Sequence, residues 1–280
     1  MTTPPSSPLT VIQICGAGHS GSTLLGLLLG SHSSAFYLGE AKKARFVGDP
    51  NKPARKRGCK FCGDDCPVWG DYRWSSDENL YEAVAARTGA SVLIDSTKGL
   101  SWLQKRSSEL DALGHRRVVL FLTRDGRAVI NSRLRKYPDR DLDDQIDQWV
   151  EQIESTSTFV DAQSGPTMQV QYEALATDPT AVLSAICDLA GIAFEPAMLA
   201  YESHEHHVLG GNNGTQFLAA RDRDTPKDVE VGDRHGDYYA SHDRGIHLDL
   251  RWLEELAPDA LARFEARAGD LNAPMAWEAR

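Results

Sequence analysis

The chain has 280 residues, of which 41% are hydrophobic, and this composition supports a packed core and excludes a chain that is disordered throughout. Its 40 acidic and 30 basic residues give a net charge of −10, which disfavours a general binder of nucleic acids or anionic membranes. The longest apolar run, Leu24–Leu29, is too short to span a bilayer. We therefore expect neither a nucleic-acid partner nor a membrane partner.

The N-terminus and the cysteine content indicate the compartment. Residues 1–9 contain three prolines but no basic start and no apolar central run, so we predict a flexible tail and not a signal peptide. Five cysteines, an odd number, argue against a disulfide scaffold and suit a reducing environment. We expect a cytoplasmic protein in which residues 10–280 form a single domain.

The first predicted unit is a strand, a glycine-rich loop and a helix, with the strand at Val11–Cys15 and the helix at Ser22–Leu29. Two further strands, Val92–Ile94 and Arg117–Thr123, are apolar at consecutive positions, which is typical of parallel strands covered on both faces. The alternation of strands and helices predicts an α/β fold with a mainly parallel sheet flanked by helices. The remaining predicted elements are the helices Ser101–Leu113, Arg127–Arg135 and Asp141–Ala162, the strand Thr167–Gln171, a helix Asp178–Ala190 with Asp178 as N-cap, and a closing helix Asp249–Ala268.

Two stretches, Ala41–Ser76 and Glu202–Gly245, lack clear periodicity. Long irregular segments in a compact domain are usually functional or disordered. We predict that both are loop lids over a binding site.

The segment Gly16–Thr23 follows a strand and opens a helix, so its backbone N–H groups and the helix dipole favour an anion. Its candidate ligand residues are Gly18, His19, Ser20, Gly21, Ser22 and Thr23. Two familiar loops are close to this pattern. The spacing of Gly16, Gly18 and Gly21 fits the dinucleotide fingerprint of an NAD(P)-dependent oxidoreductase, with Glu40 as the ribose-binding acid. The alternative is a P-loop in which Ser22 stands where the lysine is expected.

A second anion site is predicted after the strand Arg117–Thr123. Arg124 lies at the carboxyl end of this strand, and Ser132 lies about two turns into the next helix, so a guanidinium and a hydroxyl can converge on one oxyanion. Arg124 is alternatively a simple ion-pair partner of Asp125 or Asp95. Neither a dehydrogenase nor a kinase requires this second site.

With both sites in view, the sequence resembles the sulfotransferases that use 3′-phosphoadenosine 5′-phosphosulfate (PAPS). The stretch His19–Leu29 is similar to the family's 5′-phosphosulfate loop, and Leu122–Ser132 is similar to its 3′-phosphate motif. Val92–Lys98 is similar to a family strand that ends in lysine, and the segment from Tyr172 to Pro179 is similar to a later sheet segment. The resemblance covers residues 10–195 and implies a P-loop-like nucleotide-binding sulfotransferase fold.

The resemblance implies a function and a set of catalytic residues. The cofactor would be PAPS, with PAP as product and no metal required, and the partner would be a small-molecule acceptor with a hydroxyl or amine. The sequence Leu38-Gly39-Glu40 resembles bacterial small-molecule sulfotransferases and tyrosylprotein sulfotransferases, in which the glutamate of Gly-Glu is the catalytic base. Glu40 is therefore the expected base, and Lys98 would neutralise the leaving oxygen. A non-catalytic nucleotide-binding protein remains an alternative, and neither the acceptor nor the oligomeric state has a sequence signal.

His19 departs from the family pattern, since relatives usually carry arginine or lysine before Ser-Gly. A histidine is mostly neutral at pH 7. The positive charge on the leaving phosphosulfate bridge would therefore come either from His19, protonated beside an anion, or from Lys98 alone. The alternative is that His19 is a solvent-facing turn residue, just as Glu40 is alternatively a loop partner of Lys42 or Lys43.

Clustered cysteines and histidines offer two further candidate sites. Cys59, Cys62 and Cys66 have spacings seen in zinc sites, but a closed site needs four ligands and the neighbouring sequence offers no fourth. We therefore expect no metal here and interpret Pro67–Trp69 as an apolar wall for the acceptor. His204, His206 and His207 also suggest a metal site, but the loop from His206 to Asn213 is similar to the family segment that closes over the donor, which is the interpretation we favour.

Overall fold

The structure is a computed structural model that describes residues 7–220 and 245–278. Most of the predicted N-terminal tail, residues 1–6, and the part of the second lid from 221 to 244 lie outside the described residues. The first strand begins at Thr10, where the tail was predicted to end.

Five parallel strands form one sheet in the order β2-β3-β1-β4-β5. Their bounds are Thr10–Cys15 for β1, Ala35–Gly39 for β2, Val92–Asp95 for β3, Arg116–Thr123 for β4 and Thr167–Gln171 for β5. Every residue of β3 is buried, as are all of β4 except Arg116 and all of β1 except Thr10, which confirms strands covered on both faces. The chain leaves β1 toward one edge of the sheet and leaves β4 toward the other, so these neighbours form a topological switch point.

Helices cover both faces of this sheet. Their bounds are Ser22–Gly30 for α1, Ala54–Arg57 for α2, Leu80–Thr88 for α3, Leu100–Ala112 for α4, Gly126–Lys136 for α5, Leu142–Asp161 for α6, Tyr172–Thr177 for α7, Pro179–Ala190 for α8, Asn213–Ala220 for α9, Trp252–Glu255 for α10 and Pro258–Asn272 for α11. Short 3-10 turns lie at Ala41–Phe46, Pro196–Leu199, Tyr201–Ser203 and Ala273–Met275. Among the described residues, no helix is long and apolar enough to cross a membrane.

The predicted α/β class and the parallel sheet are confirmed, but several elements differ. The segment from Tyr172 to Pro179, likened to a sheet segment, forms α7 and the start of α8, and the short helices α2 and α9 were not predicted. β2 and α3 were missed, because β2 is a short edge strand and α3 follows a segment without helical periodicity. The closing helix Asp249–Ala268 is wrong as a single element. It is two helices, α10 and α11, because Ala257 is extended and Pro258 starts a new helix at its first position.

The C-terminal helix fixes one end of the second predicted anion site. Phe264 of α11 packs on Trp149 of α6, with ring centroids 5.4 Å apart. A side chain at Gly126, the first residue of α5, would lie 2.5 Å from Phe264 and 2.7 Å from Trp149. Glycine therefore lets the start of α5 approach this aromatic pair, directly after Arg124.

Candidate active site

A cavity of about 340 Å³ opens at the carboxyl end of the sheet, where the loops after β1, β2, β3 and β4 meet. It contains seven of the eight predicted nucleotide ligands and all three predicted catalytic residues. Its ionisable lining includes the cations Lys98, Arg124, Arg135, Lys136 and Arg251 and the carboxylates Glu40 and Asp249. The cavity is therefore a cationic patch within an acidic protein, and it suits an anionic ligand.

The backbone of the Gly16–Thr23 loop is shaped to present N–H groups. Gly16 and Gly21 have φ values of 139° and 93°, a region that favours glycine, and a side chain at Gly16 would lie 2.2 Å from the Leu122 carbonyl oxygen. Gly21 is the N-cap of α1 and has no side chain that could accept from the first backbone N–H groups of the helix. The start of α1 is thus a candidate anion site made of backbone N–H groups.

Not every residue of the loop turns its side chain toward the cavity. The hydroxyl of Ser20 is buried and donates to the Ala17 carbonyl at 2.8 Å, so Ser20 stabilises the loop and does not line the cavity. The N–H of Gly18 donates to Gln152 Oε1 at 3.2 Å, which ties the loop to α6. Any direct contact of Ser20 with an anion would come from its backbone.

His19 is half-buried in the left-handed region, with a φ of 72°, and it is not a solvent-facing turn residue. Its Nδ1 lies 2.9 Å from Ser132 Oγ, so one hydrogen bond joins the two predicted anion sites. Burial lowers the pKa of His19 to about 3, with further lowering by the positive charges of Lys136 and Arg133. At this pKa the imidazole is neutral at pH 7 unless a neighbouring anion raises its pKa, and Lys98 is the other candidate for the positive charge that the loop lacks.

Arg124 is a buried residue held by several contacts. Its NH1 donates to the His19 carbonyl at 3.1 Å, its NH2 pairs with Asp249 Oδ2 at 3.1 Å, and its guanidinium lies 4.4 Å from the ring centre of Tyr172. Its Nε is buried and finds no hydrogen-bond partner among the described residues. The ion-pair alternative with Asp125 or Asp95 is wrong, since the partner is Asp249.

Glu40 follows β2 and lines the cavity. Its Oε2 forms an ion pair with Lys43 Nζ at 2.9 Å, as one sequence alternative predicted, and both side chains are about one-third exposed. Burial alone would raise the pKa of Glu40, but Lys43, Lys98 and a hydrogen bond from the Gly211 backbone together lower it. Glu40 is thus an ionised carboxylate that faces the cavity and can accept a proton.

Lys98 supplies the charge that the loop itself lacks. Its Nζ donates to Ser22 Oγ at 2.5 Å, and Ser22 is the residue that stands where a P-loop has its lysine. Burial lowers the pKa of Lys98 despite the nearby Glu40 carboxylate. The Lys98 ammonium, from the segment after β3, therefore lies beside the residue that would be the lysine in a P-loop.

Asp95 fixes the geometry that brings Glu40 and Lys98 together. Its buried carboxylate accepts four hydrogen bonds, from Ala41 N, Thr97 N, Tyr81 OH and Trp102 Nε1, at 2.8–3.2 Å. Ala41 and Thr97 are the immediate neighbours of Glu40 and Lys98. Sequence reasoning gave Asp95 no role beyond a possible partner of Arg124, and its position at the end of a buried strand was the available signal.

The strand order discriminates between the sequence alternatives. In the dinucleotide-binding fold, the second strand lies beside the first, so the acid at its end reaches a ribose near the glycine loop. Here β3 lies between β1 and β2. The order therefore contradicts the NAD(P) oxidoreductase alternative. A nucleotide-binding protein without catalysis would be favoured if Glu40 and Lys98 lay far from the cavity. Both residues line the cavity, so this condition is not met.

The cysteine cluster was misjudged in one respect. The expectation that no fourth ligand lies near Cys59, Cys62 and Cys66 is wrong, because His207 joins them and all four ligand atoms lie within 4.8 Å of one another. His207 is separated from these cysteines in sequence, so spacing did not reveal it. The proposed acceptor wall is also wrong, since Trp69 is fully buried and outside the cavity lining.

The segment after His207 joins the sheet edge beside Glu40. Leu209 N donates to the Leu38 carbonyl at 2.9 Å, and Glu40 N donates to the Leu209 carbonyl at 2.7 Å. Asn212 N then donates to Thr23 Oγ1 at 2.9 Å. This part of the predicted lid therefore contacts both the candidate base and the anion loop, whereas His204, His206 and His207 do not line the cavity.

Comparison with known proteins agrees with this architecture. A model described as the sulfotransferase family matches residues 12–196. The sulfotransferase domain from the curacin biosynthetic pathway superposes with a TM-score of 0.59 at 18% identity, covering 94% of this chain and 99% of that domain. The domain from the Synechococcus PCC 7002 olefin synthase has a TM-score of 0.54 at 18% identity, with complete coverage of both chains.

A more distant structure, mouse sulfotransferase SULT7A1 complexed with PAP, has a TM-score of 0.52 at 10% identity and covers 98% of this chain and 90% of its own. No curated protein sequence matches the chain. The structural likenesses show a shared fold, and the family match extends over more than half of the sequence, including β1 to α8. The chain belongs to the sulfotransferase family.

Proposed function

We propose that this protein transfers a sulfuryl group from PAPS to a hydroxyl or amine of a small-molecule acceptor, with Glu40 as general base. The observation that carries the proposal is the convergence of two anion sites and a carboxylate–ammonium pair on one cavity. The anion sites are the Gly18–Thr23 loop and the Arg124–Ser132 pair, and the catalytic pair is Glu40 and Lys98. A donor with a 5′-phosphosulfate and a separate 3′-phosphate requires two such sites.

The residues present fit this donor. The uncapped start of α1 offers backbone N–H groups, and the buried Nε of Arg124 lacks a partner among the described residues, so both have donor capacity for an anion. The family match and the PAP complex of the mouse sulfotransferase support the same choice of nucleotide. The backbone donors and Ser22 would bind the 5′ group, while Arg124 and Ser132 would bind the 3′-phosphate.

PAPS when bound supplies an activated sulfuryl group on a good leaving group. Such transfers proceed through loose transition states, so catalysis depends on positioning and on stabilising charge. The Glu40 carboxylate would accept the proton of the acceptor, and the Lys98 ammonium, held against Ser22, would stabilise the oxygen that leaves. His19 orients the Ser132 hydroxyl and thereby supports binding.

A thermal-shift comparison of PAP, NAD, NADP and ATP without magnesium tests the nucleotide. A ligand that binds only the native state raises the unfolding temperature with its concentration. We expect stabilisation by micromolar PAP and little effect of NAD or ATP, because PAP alone uses both anion sites. Stronger stabilisation by NAD than by PAP would contradict the proposal.

A screen for product tests the reaction. Phenols, amines and polar metabolites would be incubated with PAPS and the full chain, and sulfated product would be detected by mass spectrometry. We expect at least one acceptor to be sulfated by the wild type, with a signal that is lost in Glu40→Gln. Tight PAP binding with no sulfated product from any acceptor would instead favour a nucleotide-binding protein without catalysis.

A further inference from the structure

A cluster of four potential metal ligands lies outside the cavity. Cys59, Cys62 and Cys66 come from the segment between β2 and α3, and His207 comes from the segment that pairs with the edge of β2. All four ligand atoms lie within 4.8 Å of one another, and all five cysteines of the chain are free thiols. Three thiols and one imidazole are a ligand set that favours zinc over harder divalent cations.

We propose that Cys59, Cys62, Cys66 and His207 form a closed structural zinc site. A tetrahedral zinc ion with bonds of about 2.3 Å to sulfur and about 2.0 Å to nitrogen separates a sulfur and a nitrogen ligand by about 3.5 Å. His207 Nδ1 lies 3.2 Å from Cys62 Sγ and 3.5 Å from Cys66 Sγ. These two nitrogen–sulfur separations are therefore close to the value for a tetrahedral site.

A tight backbone turn between Cys59 and Gly63 places two of the ligands. Gly63 N donates to the Cys59 carbonyl at 3.0 Å, which closes a tight turn over the Cys59–Cys62 pair. Gly63 has a φ of 66°, a conformation that favours glycine, so the turn depends on the residue directly after the second cysteine. This turn brings the thiols at positions 59 and 62 to the same side of the chain.

His207 is held in place from both sides. Its carbonyl accepts a hydrogen bond from Trp69 Nε1 at 2.7 Å, and the next carbonyl, that of Val208, accepts from Lys60 N at 2.9 Å. The other ring nitrogen, Nε2, lies 3.3 Å from the Glu205 carboxylate. A carboxylate on the second nitrogen is the usual arrangement for a metal-bound histidine, since it fixes the tautomer and the ring orientation.

The site joins two segments that the sequence separates widely. Two residues after His207, Leu209 forms the backbone hydrogen bonds that flank Glu40. With four protein ligands, the site leaves no open coordination position, so its role is structural and not catalytic. Zinc would anchor the 59–66 segment to the strand-like segment beside the candidate base, in place of a disulfide.

Metal analysis of the full chain tests the inference. Protein from zinc-supplemented cells would be freed of loose metal on a weak chelating resin and measured by inductively coupled plasma mass spectrometry. We expect about one zinc per chain in the wild type and in the controls Cys187→Ala and His204→Ala, and almost none in Cys62→Ala or His207→Ala. A wild type without zinc, or zinc retained in both ligand variants, would overturn the proposal.

A second measurement does not depend on the folding of a variant. The wild-type chain would be produced in cobalt-supplemented medium, and its absorption spectrum would be recorded. Four-coordinate cobalt with thiolate ligands has intense visible d–d bands and a near-ultraviolet sulfur-to-metal charge-transfer band, which we expect here. An intact mass lower by two hydrogen atoms, which indicates a disulfide among these cysteines, would contradict the site, as would a cobalt spectrum of six-coordinate oxygen ligation.

Discussion

The groups after β2 and β3 share one buried anchor, the Asp95 carboxylate, whereas those after β1 and β4 are tied separately to different distant residues. The Asp95 carboxylate joins the segments that carry Glu40 and Lys98 through four buried hydrogen bonds. Arg124 instead pairs with Asp249, which is 125 residues away, and Gly18 binds Gln152, which is 134 residues away. The segments of the candidate catalytic pair therefore share one buried anchor, although Leu209 also bonds beside Glu40, whereas each group of the nucleotide side has its own distant partner.

The largest expected effect is on the β2–β3 side. Glu40→Gln removes the proposed base but keeps its size, so we expect turnover to fall by roughly 10²- to 10⁴-fold while PAP affinity changes little. Steady-state kinetics with an acceptor found by the screen would measure this. The exposed Glu78→Gln is the matched control, and equal turnover of Glu40→Gln and wild type would show that the base lies elsewhere.

The pH profile refines this prediction. Lys43→Met removes the ammonium that helps to lower the pKa of Glu40, so the acid limb of kcat/KM should move to higher pH. The plateau at higher pH should stay close to wild type. An unchanged acid limb would mean that a group other than Glu40 controls it.

Asp95→Asn tests whether local bonds hold the catalytic pair. The amide nitrogen would replace one carboxylate oxygen and face either the backbone N–H groups of Ala41 and Thr97 or the side chains of Tyr81 and Trp102, so at least one buried donor loses its acceptor. We expect a loss of about 3–4 kcal/mol in the free energy of unfolding, measured by urea denaturation. The exposed Asp77→Asn is the control. A loss of unfolding free energy no larger than that of the control would show that Asp95 does not anchor the segments that carry Glu40 and Lys98.

On the β1–β4 side, Glu173 is a buried carboxyl without a cation as hydrogen-bond partner. Its Oε1 accepts from Asp125 N at 3.0 Å, and burial raises the pKa of Glu173 to about 7. Its contribution to stability is thus complete below the unfolded pKa of 4.5 and is lost as pH rises through about 7. The free energy of unfolding of Glu173→Gln, measured relative to that of the wild type, should therefore rise by about 3 kcal/mol between pH 4 and pH 8, because only the wild type loses this contribution. Parallel stability curves for the two proteins would contradict this.

Arg124→Ala gives the smallest expected effect and separates the two anion sites. We expect PAP to bind more weakly by about 2 kcal/mol, because a charge-assisted donor is lost, and adenosine 5′-phosphosulfate to bind almost unchanged. Isothermal titration with both ligands measures the difference. The control is Arg116→Ala, at an exposed arginine outside the cavity. Equal losses of affinity for both ligands would show that Arg124 stabilises the fold and does not bind the 3′-phosphate.

The sequence predicted the parts of the molecule that depend on local pattern. β5 was placed at its observed bounds, and Asp178 caps α8 as predicted, because its carboxylate oxygen accepts a hydrogen bond from the Ala181 N–H. The glycine loop was recognisable because backbone chemistry requires glycine at particular positions. Glu40 and Lys98 were predicted as site residues from their resemblance to family motifs, and Arg124 from its position directly after a strand.

Features that depend on long-range packing were not predictable in this way. His207 meets the cysteines only after the chain returns to the edge of β2, and Asp249 reaches Arg124 from beyond the second lid. Trp69 was expected in an apolar wall for the acceptor, yet it is buried and its indole N–H donates to the His207 carbonyl. A single sequence contains no period or spacing that reports such contacts.

The central position of β1 has a consequence for synthesis on the ribosome. This first strand pairs only with β3 and β4, whose registers begin at Val92 and Arg116. At typical translation rates, the nascent chain carries the apolar β1 and α1 for about 5–20 s before the second of these strands has been made. The N-terminal third of the protein thus emerges without its partners, and chaperones that bind apolar segments should contact it before the anion loop can form.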